Sequence, residues 1–339
     1  MRILVTGGAG MLGSATILAL KRAGHAVKSF DLDLSPAAPQ DSLIGDIRQR
    51  DSLTYACSGM DAVIHTVAMI NQSTTRPTAM FEVNVTGTRN VIAACQAMNV
   101  PRLLYTSSID VVFDGTPIRD GDERLPYPER HLDFYGETKM LAEMAILEAN
   151  SVSGVAMCSL RAAGLYGAGD RHRFPNILPR TIQSGRYTTI GDGRSKFTHT
   201  YVENMAYAFV LAVERLHRDS PLAGQAYFIT DYAPSNFWAF FRPYLDALRI
   251  RYGEQRLPER LAMALAQAAE WAHERHIGGA PLLSRYAVAA TAHDFWFNHR
   301  KAARDLGYAP VVSEGEAFAR TLAWARATFL KEIPTTIRA

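Results

Sequence analysis

Apolar and polar positions alternate in short blocks along the first half of the chain. Ile3-Leu4-Val5 is a β-forming run closed by Thr6-Gly7-Gly8, and residues 11–22 carry apolar positions at helical spacing with Gly24 as a stop. Residues 26–31 predict a second strand and 61–66 a third. Residues 81–98 are helical, and Pro101 leads into a fourth strand at 102–106. A helix at 134–149 and a strand at 155–160 follow. Strands alternating with helices of this length predict an α/β fold, a doubly wound parallel sheet covered on both faces.

Past residue 165 the alternation breaks down. Gly, Pro and Arg become common, as in Tyr166-Gly167-Ala168-Gly169-Asp170-Arg171 and Gly191-Asp192-Gly193-Arg194, and helices are predicted at 202–216, 236–248 and 258–273. There are 339 residues, enough for about two domains at roughly 150 residues each. The expected division is residues 1–165, with later segments returning to that unit, and a smaller unit made mostly of 166–339.

Composition narrows the classes. Hydrophobic residues at 48% and charged residues at 20% exclude disorder, and 36 Lys+Arg against 33 Asp+Glu exclude a nucleic-acid partner. Cys57, Cys95 and Cys158 form no CxxC pair, so no metal site is expected, and they read as buried free thiols in a reducing compartment. No apolar run approaches the ~20 residues of a membrane span. Met1-Arg2 runs straight into the first strand without a signal peptide, so the expected location is the cytoplasm.

Thr6-Gly7-Gly8-Ala9-Gly10-Met11-Leu12-Gly13 lies between the first strand and first helix, and fits both TGxxGxxG and GxGxxG. Glycines there turn the chain tightly, let backbone N–H groups approach a pyrophosphate and pack helix on strand. Asp31 ends the second strand, where its carboxylate can accept from ribose hydroxyls. This is the pattern of a Rossmann-type dinucleotide domain. With no base in Leu32-Asp33-Leu34 to meet a 2′-phosphate, Asp31 favours NAD over NADP. In Gly45-Asp46-Ile47, Asp46 is placed either near the adenine ring or as a helix N-cap.

Tyr135 and Lys139 stand four apart at the start of a helix, on one face. A phenol titrates near 10 and needs a nearby positive charge to act as a base at neutral pH. Upstream, a strand ends in Tyr105-Thr106-Ser107-Ser108, at the sheet edge where open α/β folds hold ligands.

Taken together, these motifs resemble the extended short-chain dehydrogenase/reductase superfamily. Val63-Ile64-His65-Thr66-Val67-Ala68, Asn84-Val85-Thr86-Gly87-Thr88 and Leu160-Arg161 running to Tyr166-Gly167 extend the likeness over nearly the whole chain. The resemblance implies an NAD-dependent oxidoreductase with Tyr135 as acid/base, Lys139 as its partner and ribose anchor, Ser108 as the substrate-side hydroxyl and Asn84 as a supporting residue. Gly7, Gly10, Met11, Leu12, Gly13, Asp31, Asp46, Ile47 and Val67 would line the cofactor with Tyr135 and Lys139. His65 is implied to be structural. Ala162 departs from the pattern, which has Pro after Leu-Arg. The superfamily pairs through helices, which implies a homodimer.

Within the superfamily the chain is most similar to the 3β-hydroxysteroid dehydrogenase group, including sterol-4-carboxylate 3-dehydrogenases. The stretches that carry this are Leu104 to Val111, Thr200-Tyr201-Val202-Glu203-Asn204, Trp296-Phe297-Asn298 and Leu306-Gly307-Tyr308. Expected is oxidation of a secondary alcohol on an apolar small molecule, a 3β-hydroxysteroid or sterol-like compound, bound by the C-terminal substrate-binding unit. The alternative is a sugar-nucleotide epimerase or dehydratase. Those enzymes carry an Arg that holds the diphosphate where this chain has Phe197, although Arg194 and Lys196 are close in sequence. Two apolar segments, Phe237 to Tyr244 and Leu261 to Leu265, are expected to wall the substrate or to serve as core.

Overall fold

The computed structural model describes residues 1–339 except 71–75, 153, 278–280, 282 and 330–339, so the last ten residues of the second predicted unit lie outside the described residues. The chain runs β1 (Arg2–Thr6), α1 (Met11–Arg22), β2 (Ala26–Asp31), β3 (Ser42–Ile44), α2 (Arg50–Cys57), β4 (Ala62–His65), α3 (Thr78–Phe81), α4 (Thr88–Ala97), β5 (Arg102–Ser108), β6 (Ile118–Gly121), α5 (Phe134–Val152) and β7 (Ala156–Ala162). It continues through β8 (Leu165–Tyr166), α6 (Arg173–Ser184), β9 (Arg186–Ile190), β10 (Thr200–Tyr201), α7 (Val202–Arg215), β11 (Ala226–Ile229), α8 (Arg242–Ala247), β12 (Gly253–Leu257), α9 (Glu259–Glu274), α10 (Arg285–Ala292), β13 (Phe295–Phe297), α11 (Arg300–Leu306) and α12 (Glu314–Phe329).

Seven parallel strands form the central sheet in the order β11-β7-β5-β4-β1-β2-β3. Successive side chains point to opposite faces, and both faces are covered. Ile3, Val5, Ile64, Leu104 and Leu160 pack in one core, while Leu4, Val63, Leu103, Tyr105 and Met157 pack in the other. That two-sided burial is why the strands read as continuous apolar runs. Winding reverses between β1 and β4, so a crevice opens at their carboxyl ends.

Three elements differ from the expected pattern. The edge strand β3 has only three residues, none buried, so it leaves no apolar run to read. The helix expected at 81–98 is α3 and α4 joined through a π-helical stretch, Glu82–Gly87, which carries Asn84. In 236–248 only a 3-10 turn, Ala239–Phe241, and the short α8 form. Pro243 lies in the first turn of α8, where the missing N–H is tolerated. The second half returns to the first: β11 completes the sheet and α7 packs on α1. The paired strands β8–β10, β9–β12 and β6–β13 build a layer outside it.

Helix α5 is tied to β7 by a fully buried ion pair, Arg161 Nη2 to Glu143 Oε1 at 2.7 Å. Glu143 also accepts from the Ser159 and Tyr127 hydroxyls, each at 2.7 Å. Replacing Glu143 by Leu strands the Arg161 charge in the core. The expected cost is about 3–5 kcal/mol of stability in chemical denaturation. A loss below about 1 kcal/mol would mean that the pair does not anchor α5.

Candidate active site

The glycine loop leaves β1 at Gly7, whose φ of +82° suits glycine. A Cβ on Gly7 would lie 2.7 Å from Thr66 Oγ1 and 2.9 Å from Val67 N, so the loop abuts the chain after β4. At Gly10 a Cβ would meet only the Gly7 carbonyl, at 3.3 Å, so this position borders open space. Gly10 also precedes α1 and supplies no side-chain cap. The first-turn N–H groups, beginning at Met11 and Leu12, therefore face a cradle free of side chains, and a pyrophosphate fits there.

Asp31 ends β2 beside this loop. Its Oδ2 accepts from Ala9 N at 2.9 Å and its Oδ1 from Leu32 N at 2.7 Å. Both contacts are to backbone and leave lone pairs for ribose hydroxyls. No ion pair to Asp31 occurs among the described residues. Asp46 is instead held by Arg48, with Nη2 on Oδ2 at 2.6 Å, and that bond with the Arg48 charge keeps its carboxyl below the usual range. Helix α2 takes Gln49 as its N-cap, so Asp46 does not fill that place. Ile47 is buried against Gly87, on the same side as Asn90, whose Nδ2 donates to the Ile47 carbonyl at 3.0 Å.

Register brings the reacting groups together. Ser108 is the last residue of β5 and pairs with Ala162 at the end of β7. Strand alternation turns Ser107 toward Glu143 and Ser108 toward Tyr135 at the start of α5. Lys139, one turn on and buried, donates from Nζ to the Thr106 carbonyl at 2.6 Å and lies 4.2 Å over the Tyr105 ring. Burial brings Lys139 down to about 7, opposed by Glu143 and Asp110.

Burial pushes the Tyr135 phenol up, Asp110 pushes it further, and Ser108 is the group that opposes them. The Lys139 ammonium donates to the strand carbonyl of Thr106, and the positive nicotinamide ring, the other charge expected to lower the phenol, would come with the cofactor.

Asn84 is fully buried and acts as a clamp. Its Oδ1 accepts from Met69 N at 2.8 Å, and its Nδ2 donates to Met69 O and Thr138 Oγ1, each at 3.0 Å. It thereby ties the chain after β4 to α5, beside Lys139. His65 is structural, held between the Thr6 hydroxyl at 2.7 Å and the Thr88 hydroxyl at 3.0 Å. Burial takes it down to about 3, so it is neutral. Cys57, Cys95 and Cys158 are buried free thiols, and no metal-binding cluster occurs among the described residues.

Sequence reasoning missed two groups. Asp110 and Asp133 are buried carboxyls next to Ser108 and Tyr135; Asp110 follows Ser108 by two residues, the only local signal available. The other is Arg173, at the start of α6. It donates to the Gly164 carbonyl at 2.5 Å and the His199 ring at 2.7 Å, with its guanidinium 5.7 Å over Phe197 and 5.2 Å over Phe237. A cation therefore does stand at the Phe197 position, delivered from another helix. Of the expected walls, Phe237 and Phe240 converge with Phe197 on His199, whereas Phe241 and Tyr244 are core. Leu261 and Leu265 point outward from α9, each about half exposed, because Ala262 and Ala266 form its buried side.

A model of the 3-beta hydroxysteroid dehydrogenase/isomerase family matches residues 4–259. The chain belongs to this family. A 3 beta-hydroxysteroid dehydrogenase/Delta 5-->4-isomerase of Mycobacterium tuberculosis is 38% identical over 330 residues, covering 95% of this chain and 89% of the relative. Short-chain dehydrogenase/reductase family 42E member 1 of Homo sapiens is 37% identical over 328 residues, covering 90% and 83%. Among solved structures, UDP-glucose 4-epimerase of Thermus thermophilus in complex with NAD superposes with a TM-score of 0.75 at 20% identity, over 97% of this chain and 100% of that one. That likeness is one of fold. Family membership makes the protein a dehydrogenase of the extended short-chain type.

Proposed function

We propose that this family member oxidises the 3β-hydroxyl of a steroid or sterol-like molecule. The observation that carries the reading is Tyr135 set beside Ser108 at the sheet's carboxyl edge, in a chain 38% identical over 95% of its length to a 3 beta-hydroxysteroid dehydrogenase/isomerase. In this reading Tyr135 exchanges a proton with the substrate hydroxyl and Ser108 orients the same oxygen. Lys139 fixes the ribose, and Asn84 holds α5 in register. Gly7, Gly10, Met11, Leu12, Gly13 and Val67 hold the pyrophosphate side, while Asp31, Asp46 and Ile47 hold the adenosine side. The chemistry supplied by bound NAD would be acceptance of the hydride from the carbinol carbon. The rings of Phe197, Phe237 and Phe240, which surround the Arg173 guanidinium, offer apolar contact to a flat hydrocarbon, and support assigning 166–339 mostly to substrate binding and 1–165 mostly to NAD. Calorimetric titration of the NAD-loaded protein with a 3β-hydroxysteroid is expected to show binding that UDP does not match.

Arg173 favours one second reading, because it restores a cation at the site where sugar-nucleotide enzymes hold a diphosphate. Micromolar UDP binding in that titration would select it. We further propose a homodimer through α4 and α5, whose outer faces leave an open groove between Ile92, Ala93, Ala149 and Val152. The three unpaired thiols support a reducing compartment such as the cytoplasm. No helix among the described residues is long and apolar enough to cross a membrane.

Cofactor choice is a separate expected outcome. Asp31→Ala combined with Leu32→Arg removes a carboxylate and adds a base beside the ribose, and should reverse or equalise the preference for NAD over NADP in kcat/KM. Equal use of both cofactors by the wild type would contradict the role given to Asp31.

A further inference from the structure

Arg173 reaches Gly164, two residues past the carboxyl end of β7, without meeting an acidic partner. Its guanidinium donates to the Gly164 carbonyl at 2.5 Å and to His199 Nδ1 at 2.7 Å, and makes no ion pair among the described residues. The nearest carboxylate in sequence, Asp170, is spent on backbone. Its Oδ1 accepts from His172 N at 2.7 Å and Arg173 N at 3.0 Å, and its Oδ2 from Phe174 N at 3.2 Å. What surrounds the guanidinium is hydrocarbon. It lies 5.2 to 5.7 Å from the ring centres of Phe197, Phe237, Phe240 and Phe241. A charge held among rings without a counter-ion is costly, and a bound anion relieves the cost.

His199 adds a second unmet demand. A guanidinium can only donate, so Nδ1 accepts from Arg173 and the ring proton rests on Nε2. Burial, and then the Arg173 charge, hold His199 well below its usual value, so the ring is neutral. Nε2 is buried with no partner among the described residues, and the ring stacks on Phe240 at 4.0 Å. Both residues therefore offer donors, and neither offers an acceptor.

We infer that Arg173 and His199 form a subsite for a carboxylate carried by the steroid, so that the substrate is a 3β-hydroxysteroid acid. The inference rests on the dehydrogenase reading above. A carboxylate matches the planar fork of a guanidinium, and the phenylalanine rings take the hydrocarbon next to it. One cation among four rings suits a single negative charge on a hydrocarbon better than the higher charge of a diphosphate. Lys196, the cation next to Phe197 in sequence, lies over the Trp296 ring instead.

Register places the acid on the skeleton. Ala162 pairs with Ser108, so the Gly164 carbonyl lies within about 12 Å of Ser108, one strand spacing and two residues of chain away. The groups that act most on the Arg173 charge are Asp170, Tyr166, Tyr244 and Tyr286, and neither Tyr135 nor Asp110 is among them. Tyr286 links the two places: its hydroxyl donates to Asp110 Oδ1 at 2.5 Å, and Ser108 donates to Asp110 Oδ2 at 2.7 Å. The acid thus sits apart from the reacting hydroxyl, within the span of a four-ring skeleton.

The test is calorimetric titration of the NAD-loaded protein with three probes: a 3β-hydroxysteroid bearing a side-chain carboxylate, its methyl ester, and UDP. Wild type is expected to bind the acid about 10-fold or more tightly than the ester, the scale of a charge-assisted hydrogen-bonded pair. Equal affinity for acid and ester overturns the proposal, and that comparison needs no variant. Arg173→Met and His199→Phe should each bring the two affinities together. Arg173→Lys keeps the charge without the fork and should retain part of the difference. A preference for the acid that persists undiminished in both Arg173→Met and His199→Phe overturns the assignment. Micromolar UDP binding that is lost in Arg173→Met gives the cation to a nucleotide diphosphate and overturns it as well. Reduction of NAD by the ester in wild type reports on the dehydrogenase reading separately. Turnover of the ester with no preference for the acid sinks the subsite alone, whereas acid-selective binding without NAD reduction supports the subsite and sinks that reading.

Discussion

Tyr135→Phe is expected to lower kcat by about 10²-fold or more while leaving NAD affinity near that of the wild type. The ring packs with Met80 and Phe134, so removing one oxygen keeps the apolar contacts and the helix start. What is lost is the hydroxyl of α5 that stands beside Ser108 and is proposed to exchange a proton with a substrate there. Steady-state kinetics with calorimetry for NAD separates the two effects. Turnover close to wild type would remove the proton-transfer scheme, and a parallel loss of NAD binding would mean that the phenol is structural.

Gly13→Ala should abolish measurable NAD binding at ordinary cofactor concentrations, an expected loss of about 10²-fold or more, or about 2.7 kcal/mol. An added Cβ would sit 2.0 Å from the Gly7 carbonyl oxygen and 2.8 Å from Gly8 Cα. These are backbone atoms on both sides, so no side-chain rotation relieves the overlap. Helix α1 would have to back away from the loop, carrying its first-turn N–H groups out of the cradle. Overpacking of this kind also costs about 1–3 kcal/mol in stability. Thermal melts with and without NAD check both parts: the variant should melt earlier and gain nothing from the cofactor. A normal NAD-induced rise would contradict the cradle.

The sheet was legible because both of its faces are covered, which turns each strand into an unbroken apolar run between turn residues. β3 was not, because three half-exposed residues carry no such signal. The glycine loop, Asp31, Tyr135 and Lys139 were readable from spacing, since loop and helix geometry at each place depends on near neighbours. Ser108 over Ser107 followed the family pattern, and strand alternation gives the physical reason. Asp110 could be found only weakly, and Tyr286 not at all, for it reaches Asp110 across 176 positions of chain. Arg173 shows the same limit. Reading Phe197 as the loss of a cation weighed only its sequence neighbours Arg194 and Lys196, whereas the fold brings a guanidinium there from α6. The i, i+4 spacing of Tyr135 and Lys139 likewise puts two side chains on one face but does not say which carbonyl the ammonium will choose.

Hydride transfer from a 3β-hydroxysteroid to NAD, with release of the reduced cofactor, is the reaction proposed for this family member. The direct measurement is the rise in absorbance of reduced nicotinamide when purified protein, freed of bound cofactor, is mixed with excess NAD and a 3β-hydroxysteroid. Many turnovers per protein molecule and dependence on added NAD are expected, and none of this with a 3α-hydroxy epimer or with UDP-sugars. No net reduction with the steroid, together with NAD that stays bound through gel filtration and interconversion of a UDP-sugar, would contradict it.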